Sequence, residues 1–194
     1  MIILNVSVAQ AAAPATILVL GDSLSAGHGI KAEQAWPRLL EAELKQRGKP
    51  FQVINASISG DTSAGGRSRF SALIKKYPAQ WVIIELGAND GLRGLPTSEM
   101  QQNLAHIIQT AQDRGSRVHL IGMQIPPNYG AAYTSAFSRS YQTLAKDYRV
   151  SLTPFLLAPI AADRTMFQAD QLHPTAQAQP LIMRGVLHDL LKNM

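Results

Sequence analysis

The sequence contains no cysteine, which excludes disulfide staples, a thiolate nucleophile and thiolate metal sites. A covalent catalyst in such a chain must be built on serine, threonine, lysine or a carboxylate. Charge is scarce as well: 16% of the residues are Asp, Glu, Lys or Arg, against roughly 25% in an ordinary soluble domain. Long apolar runs are missing, none approaching the ~20 residues of a membrane-spanning helix, so no integral membrane segment is expected. Close metal-ligand spacing is missing too. His28, His106, His119, His173 and His188 form no near pair, so a metal site is not expected. Eighteen Lys and Arg against thirteen Asp and Glu leave a net charge of +5, compatible with acidic or phosphate-bearing ligands. Arg67, Arg69, Lys75 and Lys76 belong to no nucleic-acid-binding motif and read as a solvated helix face, so nucleic acid is not an expected partner.

What is present is a chain of 194 residues, 46% of them hydrophobic, enough to close one sizeable core but not two. Residues 14–194 are expected to form that single domain, with no obligatory protein partner. Ahead of them, Met1-Ile-Ile-Leu-Asn-Val-Ser-Val8 is apolar, and Ala9-Gln10-Ala11 fits the small-x-small pattern of signal-peptide cleavage, although a basic n-region is missing. Residues 1–13 read either as a signal-peptide remnant or as a disordered leader.

Short β-branched or aliphatic runs alternate with stretches of helical period, the signature of βαβ units on a parallel sheet. The runs are Thr16–Leu20, Phe51–Asn55, Trp81–Leu86, Arg117–Ile121 and a weaker Val150–Thr153. Helices are predicted over Ala35–Arg47, Gly66–Lys76, Ala131–Tyr148 and Thr175–Leu191. A further helix carries Leu104, Ile107, Ile108 and Ala111 on one face, with Thr97 or Ser98 as its cap and Gly115 as its stop. Five parallel strands with crossover helices imply a doubly wound three-layer α/β/α sandwich, whose ligands bind beyond the carboxyl ends of the strands.

The loops at those ends hold the unusual residues. Gly21-Asp22-Ser23-Leu24 follows the first strand, Ser59-Gly60-Asp61-Thr62 the second and Gly87-Ala88-Asn89-Asp90 the third, while Asp170-Gln-Leu-His173 comes near the end. Together they supply the parts of an acyl-transfer site. A serine hydroxyl is a weak nucleophile until an imidazole takes its proton, and the imidazole works best when a carboxylate fixes its tautomer. Ser23, His173 and Asp170 suit these roles, and an acid three residues before its histidine reaches it across one turn. The backbone N–H groups of Ser23 and Gly60 and the side-chain amide of Asn89 would then serve a tetrahedral oxyanion. Leu24, Ile30, Leu92, Leu95 and Ile125 are candidate walls for an apolar acyl chain, though core packing explains some of them equally well. Taken singly, each motif has a plainer reading: Ser23 as a helix cap, Asp170 and His173 as turn residues, Asn89-Asp90-Gly91 as a turn and Gly60 as a loop glycine. Asp22 and Asp61 read as loop braces. His28 is a rival base without an acid nearby in sequence. His106, His119 and His188 read as structural or surface residues.

Taken together, these motifs resemble those of the SGNH or GDSL hydrolase superfamily. Longer stretches, Asn55–Thr62, Glu85–Gly94 and Asn128-Tyr-Gly130, are similar to its branch of bacterial arylesterases and multifunctional thioesterases and lysophospholipases. The resemblance implies a flavodoxin-like fold, a Ser23–His173–Asp170 triad, an oxyanion hole of Ser23, Gly60 and Asn89, no cofactor and periplasmic residence, with a cytoplasmic location as the alternative. It also implies that the loop Gly91–Pro96 borders the acyl groove, which adds Gly91 to the substrate-binding candidates. Ala88 departs from the pattern, standing where relatives often carry a second glycine. The expected activity is hydrolysis of esters, thioesters or lysophospholipids with apolar acyl chains. The alternatives are a carbohydrate deacetylase of the same superfamily and a non-catalytic lipid-binding protein.

Overall fold

A computed structural model describes residues 15–194; the segment read above as a leader lies outside the described residues. The elements run β1 (Ala15–Gly21), α1 (Ser23–Ala26), α2 (Trp36–Gln46), β2 (Phe51–Asn55), α3 (Ser63–Lys76), β3 (Trp81–Glu85), α4 (Ala88–Leu92), α5 (Thr97–Asp113), β4 (Arg117–Ile121), α6 (Ala131–Asp147), β5 (Ser151–Thr153) and α7 (Gln179–Leu191). All strand pairings are parallel, in the order β2-β1-β3-β4-β5. Helices α2 and α7 pack together on one side, and α3, α5 and α6 line up on the other. This is the expected α/β/α sandwich.

The interior of a parallel sheet is covered on both faces, so its strands are apolar throughout rather than alternating. Ile17, Leu18, Val19 and Leu20 of β1 and Val82, Ile83 and Ile84 of β3 are fully buried. The edge strand β2 is only half-buried. Leu104, Ile107, Ile108 and Ala111 form the buried face of α5, and Trp36, Leu40 and Leu44 that of α2. Burying each such large side chain contributes about 1.5–3 kcal/mol.

Three helix starts differ from the sequence reading. Helix α3 begins earlier, at Ser63, because the Thr62 hydroxyl accepts the Gly65 N–H at 3.2 Å. Helix α5 is preceded by Pro96 and has no side-chain cap from Thr97 or Ser98. Helix α7 begins later, at Gln179, because the Thr175 N–H donates to the Met166 carbonyl at 2.8 Å and holds the chain in a turn. Strand order reverses at β1, whose neighbours are β2 and β3. The crevice beyond that point is where a doubly wound sheet presents its ligand site.

Candidate active site

Ser23 is set by the end of β1. Asp22 caps the single-turn α1, its Oδ1 accepting the Leu24 N–H at 3.0 Å, and Ser23 becomes the first helical residue. Gly27 ends the turn at φ 77°, in the left-handed region that glycine occupies without strain.

Asp170 and His173 come from a turn ahead of α7. Phe167 and Pro174 form an antiparallel bridge, and the Gln168 N–H donates to the His173 carbonyl at 2.8 Å. Gln168 Nε2 donates to the carbonyls of His28 and Pro174 at 2.8 and 2.9 Å, docking the turn against the loop after α1. Within it, Asp170 Oδ1 accepts the N–H groups of His173 (3.0 Å) and Leu172 (2.9 Å), and Oδ2 lies 2.7 Å from His173 Nδ1. The His173 backbone N–H, its ring and the Leu172 N–H hold the Asp170 carboxyl well below the usual carboxylate range. An ionised partner makes Nδ1 the donor, which leaves Nε2 to accept from Ser23 Oγ at 2.9 Å.

Asn89 enters from the third loop. Gly87 turns the chain at φ 115°, where a Cβ would lie 2.3 Å from the Tyr141 hydroxyl. Ala88 has ordinary helical backbone, so its departure from the family pattern strains nothing. Asn89 Nδ2 donates to Asp22 Oδ2 at 3.2 Å and to the Asp61 carbonyl at 3.0 Å, which engages both amide hydrogens. Gly60 sits at φ 79° with open space where a Cβ would project, so its backbone conformation rather than crowding calls for glycine. Among the described residues, the backbone N–H groups of Ser23 and Gly60 have no acceptor.

Braces hold these loops in register. Ser63 donates its hydroxyl and N–H to Asp90 at 2.6 and 2.8 Å, tying α3 to α4. Arg69 is corrected from the solvated face that the sequence suggested. Its guanidinium is largely buried, pairs with Asp61 Oδ2 at 2.7 Å and donates to the Ala56 carbonyl, because its long side chain reaches over the ends of β1 and β2. His119 is buried between the hydroxyls of Ser151 and Thr153 at 2.8 and 2.9 Å, and burial lowers its pKa to about 4. It is a neutral packing residue. The His28 ring lies 4.3 Å from the His173 ring, centre to centre, and has no acidic partner among the described residues.

A cavity of about 510 Å³ opens beside Ser23 and His173. Of the substrate-binding candidates, Leu24, Leu92 and Ile125 line it and Ile30, Gly91 and Leu95 do not. Gly91 is packed beneath the wall, where a Cβ would lie 2.6 Å from Ile125 and 2.7 Å from Phe137. Leu95 is exposed, and its carbonyl accepts the Tyr133 hydroxyl at 2.6 Å. Sequence reasoning missed Met123, Phe155, Phe167 and Leu172, which complete the apolar lining. No short motif marks them, since they converge from separate loops. Among the described residues, no group of three or more His, Asp or Glu is placed to hold a metal ion.

Residues 19–180 match the profile of the GDSL-like lipase/acylhydrolase family. Esterase TesA of Pseudomonas aeruginosa is 47% identical over 177 residues, covering 91% of this chain and 88% of that protein. Thioesterase 1/protease 1/lysophospholipase L1 of Escherichia coli K12 is 43% identical over 173 residues, covering 89% of this chain and 82% of that protein. A crystal structure of TesA superposes with a TM-score of 0.89 at 45% identity, covering 92% of this chain and 99% of that one.

Proposed function

This chain belongs to the GDSL-like lipase/acylhydrolase family, and from that premise we propose that Ser23, His173 and Asp170 carry its ester and thioester hydrolysis through an acyl-enzyme. The protein is a serine esterase and thioesterase of this family. The observation that carries the residue assignment is the continuous chain Ser23 Oγ–His173 Nε2 (2.9 Å) and His173 Nδ1–Asp170 Oδ2 (2.7 Å) at the mouth of an apolar cavity.

The geometry supports the following sequence. His173 Nε2 takes the Ser23 proton as Oγ attacks the acyl carbon, and Asp170 stabilises the imidazolium that forms. The Ser23 and Gly60 N–H groups and Asn89 Nδ2 receive the oxyanion, Asn89 exchanging its longer bond to Asp22 for this contact. As the tetrahedral intermediate collapses, His173 gives its proton to the departing alkoxide or thiolate, which leaves as the alcohol or thiol. In the second half His173 activates a water, which releases the acid and restores Ser23.

The lining from Leu24, Leu92, Met123, Ile125, Phe155 and Phe167 favours an extended apolar acyl chain over the acetyl group of a sugar ester. On p-nitrophenyl esters from acetate to palmitate, kcat/KM is expected to rise from acetate to medium chains, because each buried methylene contributes about 0.8 kcal/mol. Activity confined to acetate would overturn this reading in favour of the deacetylase. No helix among the described residues is long and apolar enough to cross a membrane. We read residues 14–194 as the catalytic domain and the protein as periplasmic, on the Ala9-Gln10-Ala11 pattern. N-terminal sequencing of the mature protein from cells is expected to start beyond Ala11, and retained Met1 would overturn the export reading.

A further inference from the structure

Beneath the nucleophile turn lies a carboxyl group that the reaction does not use. Glu85, the last residue of β3, is fully buried. Its Oε2 accepts the Ser25 hydroxyl at 2.6 Å and the Asp22 N–H at 3.3 Å, so it grips the residues on both sides of Ser23. Its Oε1 is sealed from solvent and has no donor to accept from. The ionisable neighbours are predominantly acidic or neutral: Asp22 from the β1–α1 junction, Asp90 from α4 and Tyr141 from α6. The nearby cation from α3, Arg69, turns its guanidinium to Asp61 and to the carbonyls of Ala56 and Gly21. The positive charge that His173 can carry acts on Asp22.

A buried carboxylate with an unpaired oxygen, no cation and a second carboxylate beside it is strongly disfavoured. A proton on Glu85, shared with Asp22, removes all three faults. We propose that Glu85 is a neutral carboxylic acid that positions the nucleophile and the oxyanion amide, holding α1 through Ser25 and holding Asp22, which in turn fixes the Leu24 N–H and Asn89 Nδ2. Burial and the Asp22 charge raise the Glu85 pKa well above the ordinary value, and burial pushes Asp22 up to about 6. This makes Glu85 a positioning residue acting through Asp22 and Ser25, and it rests on the reading of Ser23 as nucleophile.

Glu85→Gln separates the protonation states, because an amide reproduces the pattern of a neutral acid: its oxygen accepts from Ser25 and the Asp22 N–H, and its NH₂ donates to Asp22. With active sites counted by a phosphonate titrant, Glu85→Gln is expected to keep kcat within about 3-fold, while Glu85→Leu loses about 10- to 100-fold in kcat with KM little changed, the scale of a misplaced reacting group. Loss in Gln as deep as in Leu overturns the neutral acid, and unchanged kcat in both overturns positioning. Two readouts do not depend on turnover. The infrared spectrum at neutral pH should show a protonated carboxyl band that Glu85→Gln removes, and a wild-type spectrum without it overturns the proposal. A carboxyl whose folded pKa is raised keeps a proton that the unfolded chain releases, so stability falls as pH rises from the unfolded value toward the folded one. Wild type is therefore expected to lose more stability than Glu85→Gln as pH rises above about 4.5, and identical slopes overturn the shared proton. If Ser23 were not the nucleophile, Ser23→Ala would stay active whatever these two readouts gave.

Discussion

Ser23→Ala should lower kcat on a p-nitrophenyl ester by about 10⁶-fold, the cost of removing the nucleophile of a serine hydrolase. In the proposed mechanism the hydroxyl accepts the acyl group, and no cysteine exists in the chain to substitute for it. His28 and His173 remain, but an imidazole without a positioned hydroxyl can only activate water. The fold should be untouched. Ser23 is half-buried, Asp22 rather than Ser23 caps α1, and His173 retains Asp170 as a partner. Equal thermal midpoints with abolished ester release are thus the expected pair of results, and undiminished turnover would end the acyl-enzyme mechanism.

Asn89→Ala should lower kcat by about 10²–10³-fold, the loss associated with one oxyanion donor, while KM changes little. The resting structure says why the two parameters separate. Both hydrogens of Asn89 Nδ2 are occupied, one of them by the Asp22 carboxyl at 3.2 Å. A neutral ester carbonyl competes poorly with such an acceptor, whereas a full oxyanion competes well. The contact therefore forms mainly in the transition state, which raises kcat without tightening substrate binding. A rise in KM at constant kcat would instead make Asn89 a substrate-binding residue.

How far the sequence carried these arguments depended on whether a feature was local. The Asp170–His173 pair was legible because three residues of separation suffice to bring the side chains together. The strands were legible because buried parallel strands are written as uninterrupted apolar runs, as in Ile17–Leu20. Helix starts were less so: the Thr62 cap and the turn at Thr175 depend on single hydrogen bonds that compete with helical period. The cavity wall was legible only where it adjoined a motif. Leu24 and Leu92 lie beside Ser23 and Asn89, but Met123, Phe155 and Phe167 meet only once the loops converge. Gly91 and Leu95 were misplaced because proximity in sequence does not fix which side of a loop faces the cavity. Arg69 was misread because a long basic side chain reads as solvated until the carbonyls it covers are known. Glu85 did leave a trace, as a lone charge closing the apolar run Trp81-Val-Ile-Ile.

The Ser23–His173 hydrogen bond joins residues 150 positions apart. During synthesis Ser23, the proposed nucleophile, therefore leaves the ribosome long before His173, and at about 5–20 residues per second that interval lasts roughly eight to thirty seconds. Throughout it the nascent chain carries a hydroxyl with nothing to deprotonate it. Hydrolytic competence arrives late and abruptly, when the final stretch folds back and the Gln168 amide docks against the carbonyl of His28. The order of the motifs along the chain thus makes the proposed triad depend on its last stretch being in place.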